Sequence, residues 1–236
     1  MTSSIDPVEL AARLIACPSI TPASGEVFDV LESALLANGF EVHRWVMGEL
    51  PDGPTENMVA MRGSGSPHFG FAGHLDVVPP GDGWGSDPFQ AVIADGVLTG
   101  RGANDMKSAI AAFVAAIAGF QNTTGTVSLL ITGDEEGYAT YGTPRIIDWL
   151  NERGIRPDMI LIGEPTSVVR LGDTNVVVQA RRVTRLADAI EVDGIAEAAG
   201  AKYRAVTRYR IHPTEPRLTI TTTYSVEDGG AAGIGL

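Results

Sequence analysis

The stretch Thr126–Thr132 (TVSLLIT) is apolar almost throughout and runs straight into GDEEG at 133–137. A strand of that kind needs cover on both faces, as in the parallel sheets of α/β proteins. Its neighbours supply the cover. Met106–Phe120 (MKSAIAAFVAAIAGF) is Ala-rich and predicts a buried helix, and Asp158–Ile162 (DMILI) predicts a second buried strand. Further strands are predicted over Phe40–Val46, Asn57–Arg62 and Phe69–Ala72, and Asp95-Gly96 breaks Ala91–Leu98 into a hairpin. Helices are predicted from Asp6, a cap followed by Pro7 and by Glu9 for a capping box, to Cys17. Two more run over Val27–Ala37, stopped by Asn38-Gly39, and over Thr143–Arg153, stopped by Gly154. Strands alternating with helices in this way predict an α/β fold, with a mostly parallel central sheet and helices on both faces.

The pattern changes after Asp173. Leu186–Ala199 reads as a helix, and Tyr203–Ile211 and Leu218–Val226 as strands joined around Pro213–Pro216. The expected organisation is a catalytic metal-binding domain over 1–174 and an atypical α+β tail over 175–236, frayed beyond Asp228. Charge divides in the same place. Residues 1–180 hold 22 acidic side chains against 9 basic ones, whereas the remainder is nearly balanced. A net charge of −12 argues against nucleic acid as a partner. No window reaches the ~18 uninterrupted apolar residues of a membrane span. Cys17 is the only cysteine, which excludes an internal disulfide or a Cys-based zinc site. MTSSIDPVEL lacks the basic and apolar regions of a signal peptide, so a cytoplasmic protein is expected.

Four short segments follow apolar strands or turns: GHLDVVPPGD (73–82), GRGANDMKS (100–108), GDEEG (133–137) and GEP (163–165). In open α/β sheets ligands bind at the carboxyl ends of strands, so these segments can meet on one rim. They bring His74, Asp105, Glu136 and Glu164 together, a nitrogen and oxygen donor set that suits zinc in a hydrolytic role, or cobalt or manganese. Asp76 is placed to orient His74, and with Glu135 adjacent to Glu136 one carboxylate can bind metal while its neighbour stays free, as general-base hydrolysis requires. The plainer readings are that Asp105 caps the following helix, that Glu135-Glu136 is a solvated turn, and that His43, His68 and His212 are structural. GRGAND lacks the third glycine of a dinucleotide loop, and neither GxSxG nor GxxxxGK[ST] occurs.

GHLDVVPPGDGW, LTGRGANDMKSAIAA, LLITGDEEG and LIGEPT resemble, in order, the motifs of the di-zinc amidohydrolases related to aminoacylase and carboxypeptidase G. The resemblance runs from about Ile5 to Thr174 and implies a zinc-exopeptidase-like catalytic domain. It implies His74 and Glu164 on one zinc, Glu136 on a second, and Asp105 bridging them, with cobalt an alternative metal. Glu135 would be the general base and Asp76 the partner of His74. The implied reaction is attack of zinc-activated water on the amide of a small N-acyl amino acid in amino-acid biosynthesis, by an enzyme that is homodimeric in its family. Deacetylase and dipeptidase activities share every one of these motifs. The family also draws a later His to the second zinc from a segment beyond a lid. Here only His212 follows Glu164, so an inactive fragment is the expectation from a different class.

Overall fold

The apolar run becomes the central strand of a five-stranded sheet. From edge to edge the sheet runs β1 (Glu41–Met47), β2 (Thr55–Ser64), β6 (Gly125–Thr132), β3 (His68–His74) and β7 (Met159–Ile162). β6, β3 and β7 are parallel; β2 opposes β6, and β1 opposes β2, so four of the five strands point the same way. In this computed structural model residues 5–120, 124–165, 168–171, 174–186, 190–198, 201–211 and 218–228 are described. The expectations for His212 and for the chain beyond Asp228 lie outside them. Two compact units divide the chain, Met1–Pro165 and Thr166–Leu236, nine residues before the expected boundary.

In the first unit the period of two along each strand sorts the core. Met58 and Ala60 of β2, Phe71 of β3, and Val127, Leu129 and Ile131 of β6 pack with three helices, α1 (Pro7–Ile15), α2 (Glu26–Leu36) and α3 (Ser108–Ala118). The alternate residues Val59 and Leu130 pack with Ile146 and Leu150 of α4 (Thr143–Glu152). Helices therefore lie on both faces, as expected. Asp6 caps α1 by accepting from Val8 N at 2.8 Å. Gly39, at φ +76°, takes the chain out of α2 into β1. Asp95 and Gly96 both have positive φ, which is the two-residue turn expected between β4 (Val92–Ala94) and β5 (Val97–Thr99).

Two expectations are corrected. The long helix begins at Ser108 rather than Met106, because Ala103–Lys107 forms an irregular turn in which Asp105 and Met106 leave helical geometry. β7 is not a buried strand. It lies at the sheet edge with its four side chains 43–65% exposed, because apolar composition alone does not distinguish an edge from a centre.

The described part of the second unit is an antiparallel meander of β8 (Val168–Leu171), β9 (Thr174–Arg185), β10 (Ile190–Ala198), β11 (Ala201–Ile211) and β12 (Leu218–Asp228). The two strands expected here are present, but the helix expected over Leu186–Ala199 is β10, so the described tail is β rather than α+β. Ile190 and Val192 alternate with Glu191 and Asp193, and these carboxylates pair with Arg208 and Arg204 of β11 at 2.7 Å. Pairing on both sides outweighs the helix preference of the Ala and Glu residues. Among the described residues, no helix is long and apolar enough to cross a membrane.

The layering sets a test. Phe71 is buried and stacks on Phe113 at 4.4 Å, so Phe71→Ala is expected to destabilise the protein by about 3–5 kcal/mol in urea unfolding. Met159→Ala, on the exposed edge, is expected to stay within about 0.5 kcal/mol of the parent.

Candidate metal centre

Parallel pairing of β3 with β6 sets His74 level with Thr132, so the chain leaves both strands at the same height. Leu75 N bonds Thr132 O at 2.9 Å, and Gly163 N bonds Ala72 O at 3.1 Å, keeping the exit from β7 beside them. Three loops, 75–77, 133–137 and 163–165, therefore leave one end of the sheet, and the Ala103–Lys107 turn meets them there.

His74 is fully buried. Its Nδ1 lies 2.9 Å from the Asp76 carbonyl, which can only accept, so Nδ1 carries a proton and Nε2 faces the carboxylates. Nε2 stands 3.0 Å from Asp105 Oδ1, 3.4 Å from Glu164 Oε1 and 3.7 Å from Glu135 Oε2. Glu136 joins His74 and Glu135 in a second group of convergent ligand atoms beside that of His74, Asp105 and Glu164. All the residues singled out in the sequence thus gather in one place. The Asp76 carboxylate is 3.5 Å from Nδ1 and also accepts from Glu135 N and Glu136 N at 2.9–3.2 Å. Its carbonyl and its carboxylate both face the imidazole, and the carboxylate also holds the Glu135–Glu136 loop.

The plainer readings fare unevenly. Asp105 caps nothing: Lys107 occupies the N-cap position of α3, and no side chain bonds there. Glu135-Glu136 is a turn whose N–H groups are tied down by a buried carboxylate. His68 bonds Ser128 Oγ through its ring at 2.9 Å, and its backbone N–H donates to Asp158. His43 pairs with Glu41 at 3.1 Å. Both of these histidines therefore have a carboxylate close by.

Two buried residues had not been singled out. Asp134 accepts from Ala139 N and Tyr141 N, fixing the outer part of the 133–141 loop with Ala139 at φ +55°. Lys107 is wholly buried and donates to Leu14 O and Cys17 O. A single lysine at the head of a long apolar run was the available signal for it.

The electrostatics are those of a cation site. Burial pushes the Glu136 carboxyl up, and the Asp105 charge pushes it further. Burial also raises Glu164, helped by Asp105 and Glu135. Burial disfavours protonated His74, but the Asp76 bond and the charges of Asp76 and Glu164 prevail and raise its pKa to about 9. Carboxylates crowded against each other need a positive charge to relieve them. The donor set also fits a metal in size. Zinc bonds of about 2.0–2.1 Å at tetrahedral angles put ligand atoms about 3.3–3.5 Å apart, close to the spacings around Nε2.

An α/β unit with one imidazole and converging carboxylates at the carboxyl ends of parallel strands offers a donor set that could hold a divalent ion. The model of Peptidase family M20/M25/M40 matches residues 70–231, and the chain belongs to that family. The match extends past the four motifs and over most of the second unit. A curated succinyl-diaminopimelate desuccinylase from Zymomonas mobilis is 56% identical over 195 residues, which cover 83% of this chain and 51% of that protein. Another, from Rhizorhabdus wittichii, is 61% identical over 169 residues, covering 72% and 45%. Human carnosine dipeptidase 1 has a TM-score of 0.58 at 26% identity, over 67% of this chain and 38% of that one. The chain spans about half the length of the curated relatives it matches.

The raised pKa of His74 predicts a pH effect in metal-free protein. Folded His74 titrates at about 9 against 6.5 for an unperturbed histidine. Its stabilising contribution is therefore complete below about pH 6.5 and is lost as pH rises through 9. The stability difference between chelator-treated wild type and His74→Gln is expected to shrink across that window. A constant difference in urea unfolding from about pH 6 to pH 9.5 would contradict the assignment.

Proposed function

We propose that this chain carries the metal-holding part of a succinyl-diaminopimelate desuccinylase. Such an enzyme cleaves N-succinyl-L,L-diaminopimelate into succinate and L,L-diaminopimelate, on the route to lysine, in the cytoplasm. The observation that carries the reading is the convergence of Asp105, Glu135 and Glu164 on His74 Nε2 at 3.0–3.7 Å. The high identity to two desuccinylases supports the choice of substrate.

In this reading His74, Asp105 and Glu164 would hold one divalent ion, zinc or cobalt, and Glu136 with Asp105 would serve a second. When bound, the metal polarises the amide carbonyl and acidifies water. Glu135 is half exposed beside that position and takes the proton from the attacking water. The water oxygen bonds the succinyl carbonyl carbon, the C–N bond breaks, and Glu135 returns the proton to the departing amine. Asp76 keeps Glu135 at its post through the backbone N–H groups it binds.

The similarity to carnosine dipeptidase favours one further reading, hydrolysis of a dipeptide by the same residues. Comparing turnover of N-succinyl-L,L-diaminopimelate, N-acetylornithine and a dipeptide separates the readings; preference for either of the latter would overturn the desuccinylase choice. Glu135→Gln is expected to lower hydrolysis about 10²–10⁴-fold while leaving metal content unchanged.

The two ligand groups share His74, and among the described residues they contain no second histidine. One tight divalent ion per chain is therefore expected in metal analysis after dialysis, with any second ion lost first. Two ions of equal affinity would mean that a ligand outside these groups completes the second position. One ion without measurable hydrolysis would select the inactive-fragment reading.

A further inference from the structure

We propose that Lys107, together with the segment Cys17–Ala23 that it holds, positions the metal ligands relative to one another. This rests on reading His74, Asp105 and Glu164 as ligands. The Lys107 ammonium donates to Leu14 O at 2.8 Å and to Cys17 O at 3.1 Å, the carbonyls where α1 ends. Leu14 O also accepts from Cys17 N at 3.3 Å, and a cation is favoured beside the carbonyls of a helix end. Lys107 is also fixed from its own side. Its backbone N–H bonds Gly102 O at 3.0 Å, and a Cβ on Gly102 would meet its stem at 3.1 Å. Two residues earlier stands Asp105, with the buried Met106 between them packed under Gly73 and Gly163.

The segment that Lys107 grips reaches the other ligand loops in turn. Ser19 Oγ donates to Leu75 O at 2.6 Å, Val77 N to Ser19 O at 2.9 Å, and Thr21 N to Val77 O at 3.0 Å. These bonds bracket Asp76 and follow directly on His74. Further along, Ala23 N donates to Gly133 O at 2.7 Å, and a Cβ on Gly137 would meet the Thr21 hydroxyl at 2.7 Å and Asp134 Oδ1 at 3.0 Å. One stretch of seven residues is thus bonded to the His74 loop and the Glu135–Glu136 loop. Lys107 ties it to the Asp105 turn. A burial site for packing alone needs no ammonium, and a buried charge without a bonded carboxylate is costly. The ammonium provides what an apolar side chain cannot, a fixed bond from the ligand turn to this strap.

The test compares the full chain with Lys107→Met, Ser19→Ala and Leu150→Ala. Zinc affinity is read by competition with a chromophoric chelator, the cobalt site by its visible absorption, and stability by unfolding of the metal-free proteins. Lys107→Met is expected to weaken zinc about 10–100-fold and to change the cobalt spectrum, as loss of an outer partner does. Ser19→Ala, which cuts the strap from Leu75, is expected to weaken zinc several-fold and decides the matter if Lys107→Met does not fold. Leu150→Ala lies in the second apolar cluster. It is expected to lower stability while leaving zinc affinity and the cobalt spectrum as in the parent. Parental affinity and spectrum in folded Lys107→Met, or in Ser19→Ala, would overturn the proposal. A parent chain that binds neither ion would overturn the ligand reading itself, and the proposal with it.

Discussion

The parallel pairing of β3 with β6 governs the rest of the first unit. Because the register places His74 beside Thr132, the loops that follow must leave the sheet at one height. A shift by one residue would turn His74 to the other face of the sheet and break the Leu75–Thr132 bond that starts the turn. The register itself is enforced by burial. Phe71, Leu129 and Ile131 face the three-helix side, Leu130 the α4 side, and a slip would expose each set to the wrong layer. Hydrophobic sorting across the sheet is therefore what aims an imidazole at three carboxylates.

That arrangement stands against the local electrostatics. Glu136 and Glu164 are driven towards protonation by burial and by their neighbours, and His74 holds a proton that a metal would displace. Without an ion, the His74 proton is the compensation available within the cluster. The cluster persists because its backbone is bound elsewhere: Asp76 holds 135 and 136, Asp134 holds 139 and 141, and Lys107 holds the end of α1. Buried charges that never touch a ligand thus keep those that do from relaxing apart. Such strain, offset by surrounding structure, is what functional sites store.

Most of this was legible in the sequence because it depends on local patterns. The helix caps, the Asp95-Gly96 turn and the central strand follow from residue chemistry over a few positions, and the four polar segments stand out because each breaks an apolar run. What was not legible depends on distant partners. β7 reads like β6 in composition, and only the sheet order reveals it as an edge. Leu186–Ala199 contains good helix formers, and the ion pairs that favour a strand involve Arg204 and Arg208 on the following strand. The carboxylate of Asp76 faces its sequence neighbour His74, but it also binds residues almost 60 positions away that no local pattern indicates. Spacing suggests which residues share a site, but not which atoms of each meet.

The same distinction separates the reaction from its substrate. Three loop exits and one turn are enough to assemble an imidazole, an aspartate and three glutamates, all from the first unit. In the proposed reaction these groups act on the amide bond, and an amide is common to succinylated amino acids, acetylated amino acids and dipeptides. Selection among these substrates must come from contacts to the groups that flank the amide, because differences in binding require differences in what is bound. The strand-end geometry conserves the chemistry by locking backbone to backbone. A surface that discriminates acyl groups has no such requirement and is free to vary on the same frame. The high identity to the desuccinylases therefore bears on substrate, whereas the positions of His74, Asp105 and Glu135 bear on mechanism, and neither observation can stand in for the other.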